Sequence, residues 1–175
     1  LRAGGAGRLI GPWTEAVATA ALVRERAVSA VEATDAALAR IAAGDGPLNS
    51  FTAVTAERAL AEAAAVDAAV AGGAVLPLAG APYAVKNLFD LDGVVTTAGS
   101  KIERERPAAS ADAFLVSRLQ AAGAVCVGAL NMDEYAYGFT TENAHDGNCH
   151  NPHDLSRSAG GSSGGSGAAV AGGLV

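Results

Sequence analysis

The run Asp112-Ala113-Phe114-Leu115-Val116-Ser117-Arg118-Leu119-Gln120-Ala121-Ala122-Gly123-Ala124-Val125-Cys126-Val127-Gly128-Ala129 carries the fold class. Apolar Phe114, Leu115, Val116 and Leu119 predict a helix over 112–122 that Gly123 closes, and 125–129 then reads as a compact buried strand. A helix stepping straight into a buried strand is the layering of an α/β protein. Upstream, 82–88 is a second short apolar run, interrupted by Lys86, and 90–100 is rich in Gly, Thr and Asp, which gives strand and then loop. The first third reads as helical. Helices are expected over 15–26, over 30–43 behind a Ser29/Glu32 capping box and ended by Gly44, and over 56–71, closed by Gly72 and Gly73. Downstream, 131–158 is polar and mostly irregular, a length at which loops commonly carry function. Residues 159–167 are almost entirely glycine and serine and feed a short helix around 168–170.

Composition removes several classes. Half of the 175 residues are apolar, enough for one buried core, and the net charge of -6 leaves no excess cation to neutralise a phosphate backbone, which argues against nucleic-acid binding. Two cysteines, Cys126 and Cys149, are too few for a disulfide framework and point to a reducing compartment, the cytoplasm. No end carries the roughly 20 apolar residues of a membrane span, and residues 1–11 lack a signal pattern, so no membrane contact is expected. The start at Leu1 and the stop at Val175 after a small-residue run suggest a piece of a longer chain.

Two features carry chemistry. The sequence has two lysines against ten arginines, and Lys86 sits in Pro-Tyr-Ala-Val-Lys-Asn where an apolar strand is expected. A buried ammonium loses hydration, its pKa falls, and the neutral amine can take a proton. The same placement also suits a strand-end lysine whose stem packs while its head reaches water. The second feature is Ala159-Gly160-Gly161-Ser162-Ser163-Gly164-Gly165-Ser166-Gly167, which permits close backbone approach and exposed N–H groups beside a helix start. It is equally the composition of a flexible linker, and it lacks the lysine of a phosphate-binding loop. Residues 160–164 fit Gly-x-Ser-x-Gly, the nucleophile elbow of α/β-hydrolases. Against that, 154–158 is too polar for the required strand, and His145, His150 and His153 all precede the serine. His145, Cys149, His150 and His153 leave open a zinc-stabilised binding module, though their spacing is irregular and polar-loop histidines are commonly solvated.

Taken together, these residues resemble the amidase signature family. The likeness rests on Gly160-Gly161-Ser162-Ser163-Gly164-Gly165-Ser166 followed by a small-residue helix ending in Gly173-Leu174-Val175, and on the lysine segment 82–87. Thr97-Ala98-Gly99-Ser100, residues 128–134 and Thr141-Glu142-Asn143 extend it over nearly the whole chain. It implies the N-terminal portion of an α/β/α amidase signature fold with a mixed sheet, preceded by helices. Residues 1–175 then form one incomplete domain, helical over 12–73 and α/β over 74–175.

The resemblance also implies a triad of lysine, a serine in a cis peptide and a nucleophilic serine, working through an acyl-enzyme without cofactor or metal. Lys86 matches the lysine and Ser162 the cis serine, Ser163 supports the turn, Gly161 lies beside the oxyanion, and Tyr137 and Gly138 approach the substrate. The nucleophile falls beyond Val175, so the chain as given is expected to be inactive, and strands missing from its sheet would leave edges unpaired and the piece marginally stable. Tyr135, Tyr137 and Phe139 could alternatively pack the loop. Residues 131–145 look closest to the branches of carboxybiuret hydrolases and of the A component of aminoacyl-tRNA amidotransferases. That implies a small ureido or carboxamide substrate and a small accessory subunit or homo-oligomer, with no nucleic acid bound directly by this part. Asn148-Cys149-His150 departs from the family, whose members more often carry a proline and a basic residue there.

Overall fold

The computed structural model describes residues 10–175. Its first elements are α1 (Ala16–Arg24) and α2 (Ala30–Leu48). The capping box forms at the start of α2: Ser29 Oγ accepts from the Glu32 N–H at 3.0 Å, and the Glu32 carboxylate accepts from the Ser29 N–H at 2.9 Å. Helix α3 (Ala56–Ala71) packs against α2, with Ala30, Ala59 and Ala63 completely buried in their shared core. Asp67 of α3 also accepts the free N–H groups of Ala30 at 2.7 Å and Val31 at 3.2 Å, tying one helix to the start of the other.

Gly44 does not end α2, contrary to expectation. A helical glycine costs only about 1 kcal/mol relative to alanine, and this one makes room: a Cβ there would stand 3.0 Å from Leu174 Cδ2. The helix stops instead at Asn49, which turns left-handed at φ 53°. Asp45 then holds the exit, its carboxylate accepting from the Ser50 and Phe51 N–H groups at 2.9 and 3.2 Å and from the Ser50 hydroxyl.

The stretch 12–73 is likewise not wholly helical, because β1 (Phe51–Val54) lies within it. Four residues are too few to show a period, and only pairing with a distant strand defines them. That strand is β3 (Val125–Leu130), buried along its whole length, with β1 antiparallel on one side and β2 (Pro82–Lys86) parallel on the other. The sheet is therefore mixed, in the order β1-β3-β2.

Side-chain alternation on β3 builds the layers. Val125, Val127 and Leu130 enter a core with α2, α3 and α5 (Gly164–Ala171), whereas Cys126 and Ala129 enter a second core with Leu91 and with Val116 of α4 (Phe114–Ala121). The strict period of two is broken near Gly128, where β3 shifts register against both neighbours and lies so close to β1 that a Cβ would strike the Ala53 carbonyl and the Phe51 ring. Helix α4 begins at Phe114 rather than Asp112. The Asp112 carboxylate is engaged outside it, pairing with Arg58 of α3 at 2.7 and 2.6 Å and accepting from the Asp92 N–H at 2.8 Å.

The polar segment after β3 is mostly irregular, with two small ladders: β4 (Glu142–Asn143) against β5 (Gly147–Asn148), and β6 (His150–Asn151) against β7 (Asp154–Ser158). Helix α5 begins inside the glycine run, at Gly164 rather than near 168. No described helix is long and apolar enough to cross a membrane.

Candidate active site

Lys86 is the last residue of β2, in register with Leu130 at the end of β3, so the strand delivers its amine where the chain leaves the sheet. The segment leaving β3 folds beneath the glycine turn that starts α5. Across this junction the Lys86 Nζ donates a hydrogen bond to Ser162 Oγ at 2.7 Å, and the Gly161-Ser162 peptide is cis. Burial lowers the Lys86 pKa below the ordinary lysine value, and the negative charge of Asp133 opposes that shift in part. Lys86 is partly buried, and its head is held by the Ser162 hydroxyl.

The other residues singled out in the sequence fall around this pair unequally. Gly161 precedes Ser162 on an exposed stretch of backbone, and Ser163, also exposed, stands at the start of α5, where its carbonyl accepts from the Gly167 N–H at 3.1 Å. Gly138 lies against Asp133, whose Cγ would be 2.5 Å from a Cβ at that position. Tyr137 is 94% and Phe139 88% exposed, so neither ring packs the loop, while Tyr135 is half exposed and donates its hydroxyl to Glu103 at 3.0 Å.

Four buried polar residues shape the turn and were not singled out as site residues. The Asp133 N–H donates to the Ser162 carbonyl at 3.1 Å, and Asp133 Oδ1 accepts from the Thr141 N–H at 2.9 Å. Thr141 Oγ1 donates to the Gly160 carbonyl at 2.9 Å and accepts from the Gly164 N–H at 3.0 Å, bridging both ends of the turn with one hydroxyl. Asn131 donates from Nδ2 to the carbonyls of Asn49 and Gly147, both at 3.1 Å, and its own carbonyl receives the Gly165 N–H at 3.0 Å. Asn143 donates to Gly99 and Met132 carbonyls at 2.8 and 3.0 Å and accepts from the His145 and Asp146 N–H groups at 2.7 and 2.9 Å. The available signal was chemical: short Asx and Thr side chains bond nearby backbone in turns.

Two alternatives change. Residues 154–158 are a strand despite their polarity, because Asp154 and Asn151 organise a tight hairpin, yet β7 is largely exposed and pairs only with β6, outside the central sheet. It is not the buried strand of a nucleophile elbow. Cys149 is fully buried, its thiol pushed up to about 12 by desolvation, and the described residues contain no group of three His, Cys, Asp or Glu side chains able to hold a metal, so the histidines do not form the zinc cluster.

Comparison with known proteins shows the family and the fold. Residues 32–175 match the family described as Amidase. The chain is 65% identical over 148 residues to AtzE, the 1-carboxybiuret hydrolase component of Pseudomonas sp. (strain ADP), covering 84% of this chain and 32% of that one. It is 54% identical over 154 residues to the A component of the glutamyl-tRNA(Gln) amidotransferase of Anaeromyxobacter dehalogenans (strain 2CP-C), covering 87% and 31%. A solved structure of a vestigial protein complex, described as revealing the evolutionary origins of an s-triazine catabolic enzyme, superposes with a TM-score of 0.90 at 60% identity, over 92% of this chain and 35% of that one. The chain thus spans about a third of the length of the curated relatives it matches. Its fold, its glycine-serine turn and these similarities together make it a member of the amidase signature family.

Proposed function

We propose that Lys86 and Ser162 are the base and the proton relay of an amide-bond hydrolase whose nucleophilic serine lies outside the sequence given, and whose substrate is a small ureido or carboxamide compound. The observation that carries this is the 2.7 Å hydrogen bond between the two side chains. The Lys86 amine donates to Oγ in the structure. Once neutral, it presents its lone pair to the same oxygen, takes the Ser162 proton, and so lets Ser162 accept one from the attacking serine. The O–C bond to the substrate carbonyl forms while the negative charge is met by backbone N–H groups beside Gly161 and Ser163. The proton returns through Ser162 to the leaving amine as the C–N bond breaks, and water then hydrolyses the acyl-enzyme by the same relay. No step calls for a cofactor.

Tyr137 and Gly138 border the substrate in this reading. The 65% identity to a carboxybiuret hydrolase component favours the ureido substrate; the 54% identity to an amidotransferase component supports amide hydrolysis within a transamidating assembly as the second reading. Both relatives are named as subunits, which supports a small accessory partner here. Two free buried cysteines fit a cytoplasmic location.

The test is ammonia release by the protein extended through its nucleophile, on a panel of ureido compounds, amino-acid amides, glutamine and aryl amides. Turnover of ureido compounds, absent from residues 1–175 alone, is expected. Serine-dependent turnover by the 175-residue chain itself would overturn the placement of the nucleophile.

A further inference from the structure

Asp133 is buried to 7% exposure, and its carboxylate has no part in the proposed chemistry. One carboxylate oxygen, Oδ1, is occupied by the Thr141 N–H at 2.9 Å, whereas Oδ2 is buried with no hydrogen-bond partner among the described residues. A buried carboxylate oxygen without a donor is costly, which asks what compensates its charge. Its seat is specific. The Asp133 N–H is bonded to the Ser162 carbonyl, and a Cβ on Gly161 would collide with Oδ2, just as one on Gly138 would collide with Cγ. Two glycines therefore admit this carboxylate to the underside of the turn that presents Ser162.

We propose that Asp133 is a positioning residue of the Lys86–Ser162 pair: its carboxylate, seated under Gly161 and Gly138, is the counter-charge that steadies the Lys86 amine against Ser162, while its N–H fixes the Ser162 backbone. The proposal rests on the reading of Lys86 as base and adds the group that tunes it. The Asp133 carboxylate lies under Gly161, next to the Ser162 that holds the Lys86 amine, and its charge favours the ammonium, whereas the register partner on β3, Leu130, and the bonded Ser162 carry no charge. Burial alone would favour a neutral amine, and the carboxylate counters this, so the two opposing effects set the pH at which the amine becomes a base.

The sign follows directly. Removing the negative charge destabilises the ammonium, so Asp133→Asn lowers the pH at which Lys86 titrates; the amide side chain keeps an oxygen for the Thr141 N–H. In the full-length protein carrying ε-13C-labelled lysine, with the Lys86 signal identified by its loss in Lys86→Arg, the Lys86 midpoint is expected to fall by about one pH unit, with Lys101 unmoved. The acid limb of the kcat profile should move down by the same amount. A lower kcat at every pH with the Lys86 midpoint unmoved means a structural role only and overturns the proposal. The nuclear resonance arm reads Asp133 even where no amide is turned over, which separates this inference from the proposed function. Should Asp133→Asn not fold, the Lys86→Met/Asp133→Asn pair decides: recovery of a cooperative melt supports the charge pairing, and continued failure overturns it.

Discussion

Helices α2 and α3 meet through methyl groups, while the segment from Asn131 to the start of α5 is assembled around four polar side chains. In the first region Ala30, Ala59 and Ala63 are fully buried, each adding a small area to a broad contact. In the second, Asn131, Asp133, Thr141 and Asn143 are buried to a similar degree, but their side chains hold backbone groups of the loop and the turn, one for Asp133 and two or more for each of the others. Apolar burial scales with area and spreads its contribution over many residues. A buried backbone group that loses its partner incurs its desolvation cost at one point. The contrast teaches that tolerance to substitution should be high in the helical layer and low in the loop that builds the site.

The sharpest way to separate the two regions is to ask which residues alter chemistry and not stability. In the protein extended through its nucleophile, Lys86→Ala is expected to lower kcat by about 10³-fold or more while leaving the thermal transition in place; an unchanged kcat would remove Lys86 from the base role. Acidification should mimic that loss. In the proposed mechanism the neutral amine is the active form, and burial depresses the Lys86 pKa, so activity is expected to persist below the ordinary lysine range and to vanish as pH falls through the depressed value.

Thr141→Val tests the polar region itself. It keeps the shape but strips the partner from the Gly160 carbonyl and the Gly164 N–H, and should cost about 2–4 kcal/mol in a urea titration. A loss well under 1 kcal/mol would show that the turn is held elsewhere. The methyl region is expected to answer more softly: Ala63→Gly should cost about 1 kcal/mol of helix propensity plus a small packing loss. Ser29→Ala, which opens the capping box, should cost about 1 kcal/mol or slightly less, because the capping groups are exposed. If these two equalled Thr141→Val, the contrast between the regions would collapse.

The same contrast explains what could be read from the sequence. The Ser29/Glu32 box, the apolar faces of the helices and the unbroken apolar run of β3 are local patterns and survive in the structure. The strand β1 left no such trace, because four residues gain their identity from pairing with a segment more than seventy positions away. The extent of α2 was hidden for a related reason: Gly44 looks like a terminator until Leu174 is seen packed over it. Lys86 and Ser162 stood out as residue types in unusual settings, 76 positions apart, and the fold brings them within one hydrogen bond. Asp133 and Thr141 entered only within segments of family likeness and not as site residues, since a polar residue in a polar loop has no pattern to violate until burial reveals its partners.

The glycine run at the start of α5 looks like the loosest part of the chain and is among the tightest. A methyl group on Gly165 would press to 2.6 Å against the Asn131 backbone and the Ser50 carbonyl, and one on Gly164 would strike the Thr141 hydroxyl. The hydrogen atoms at these positions serve as spacers of minimum thickness, so a library randomised there should return little but the parental codons, whereas Gly167, with open surroundings and an ordinary helical backbone, leaves room for a side chain of its own.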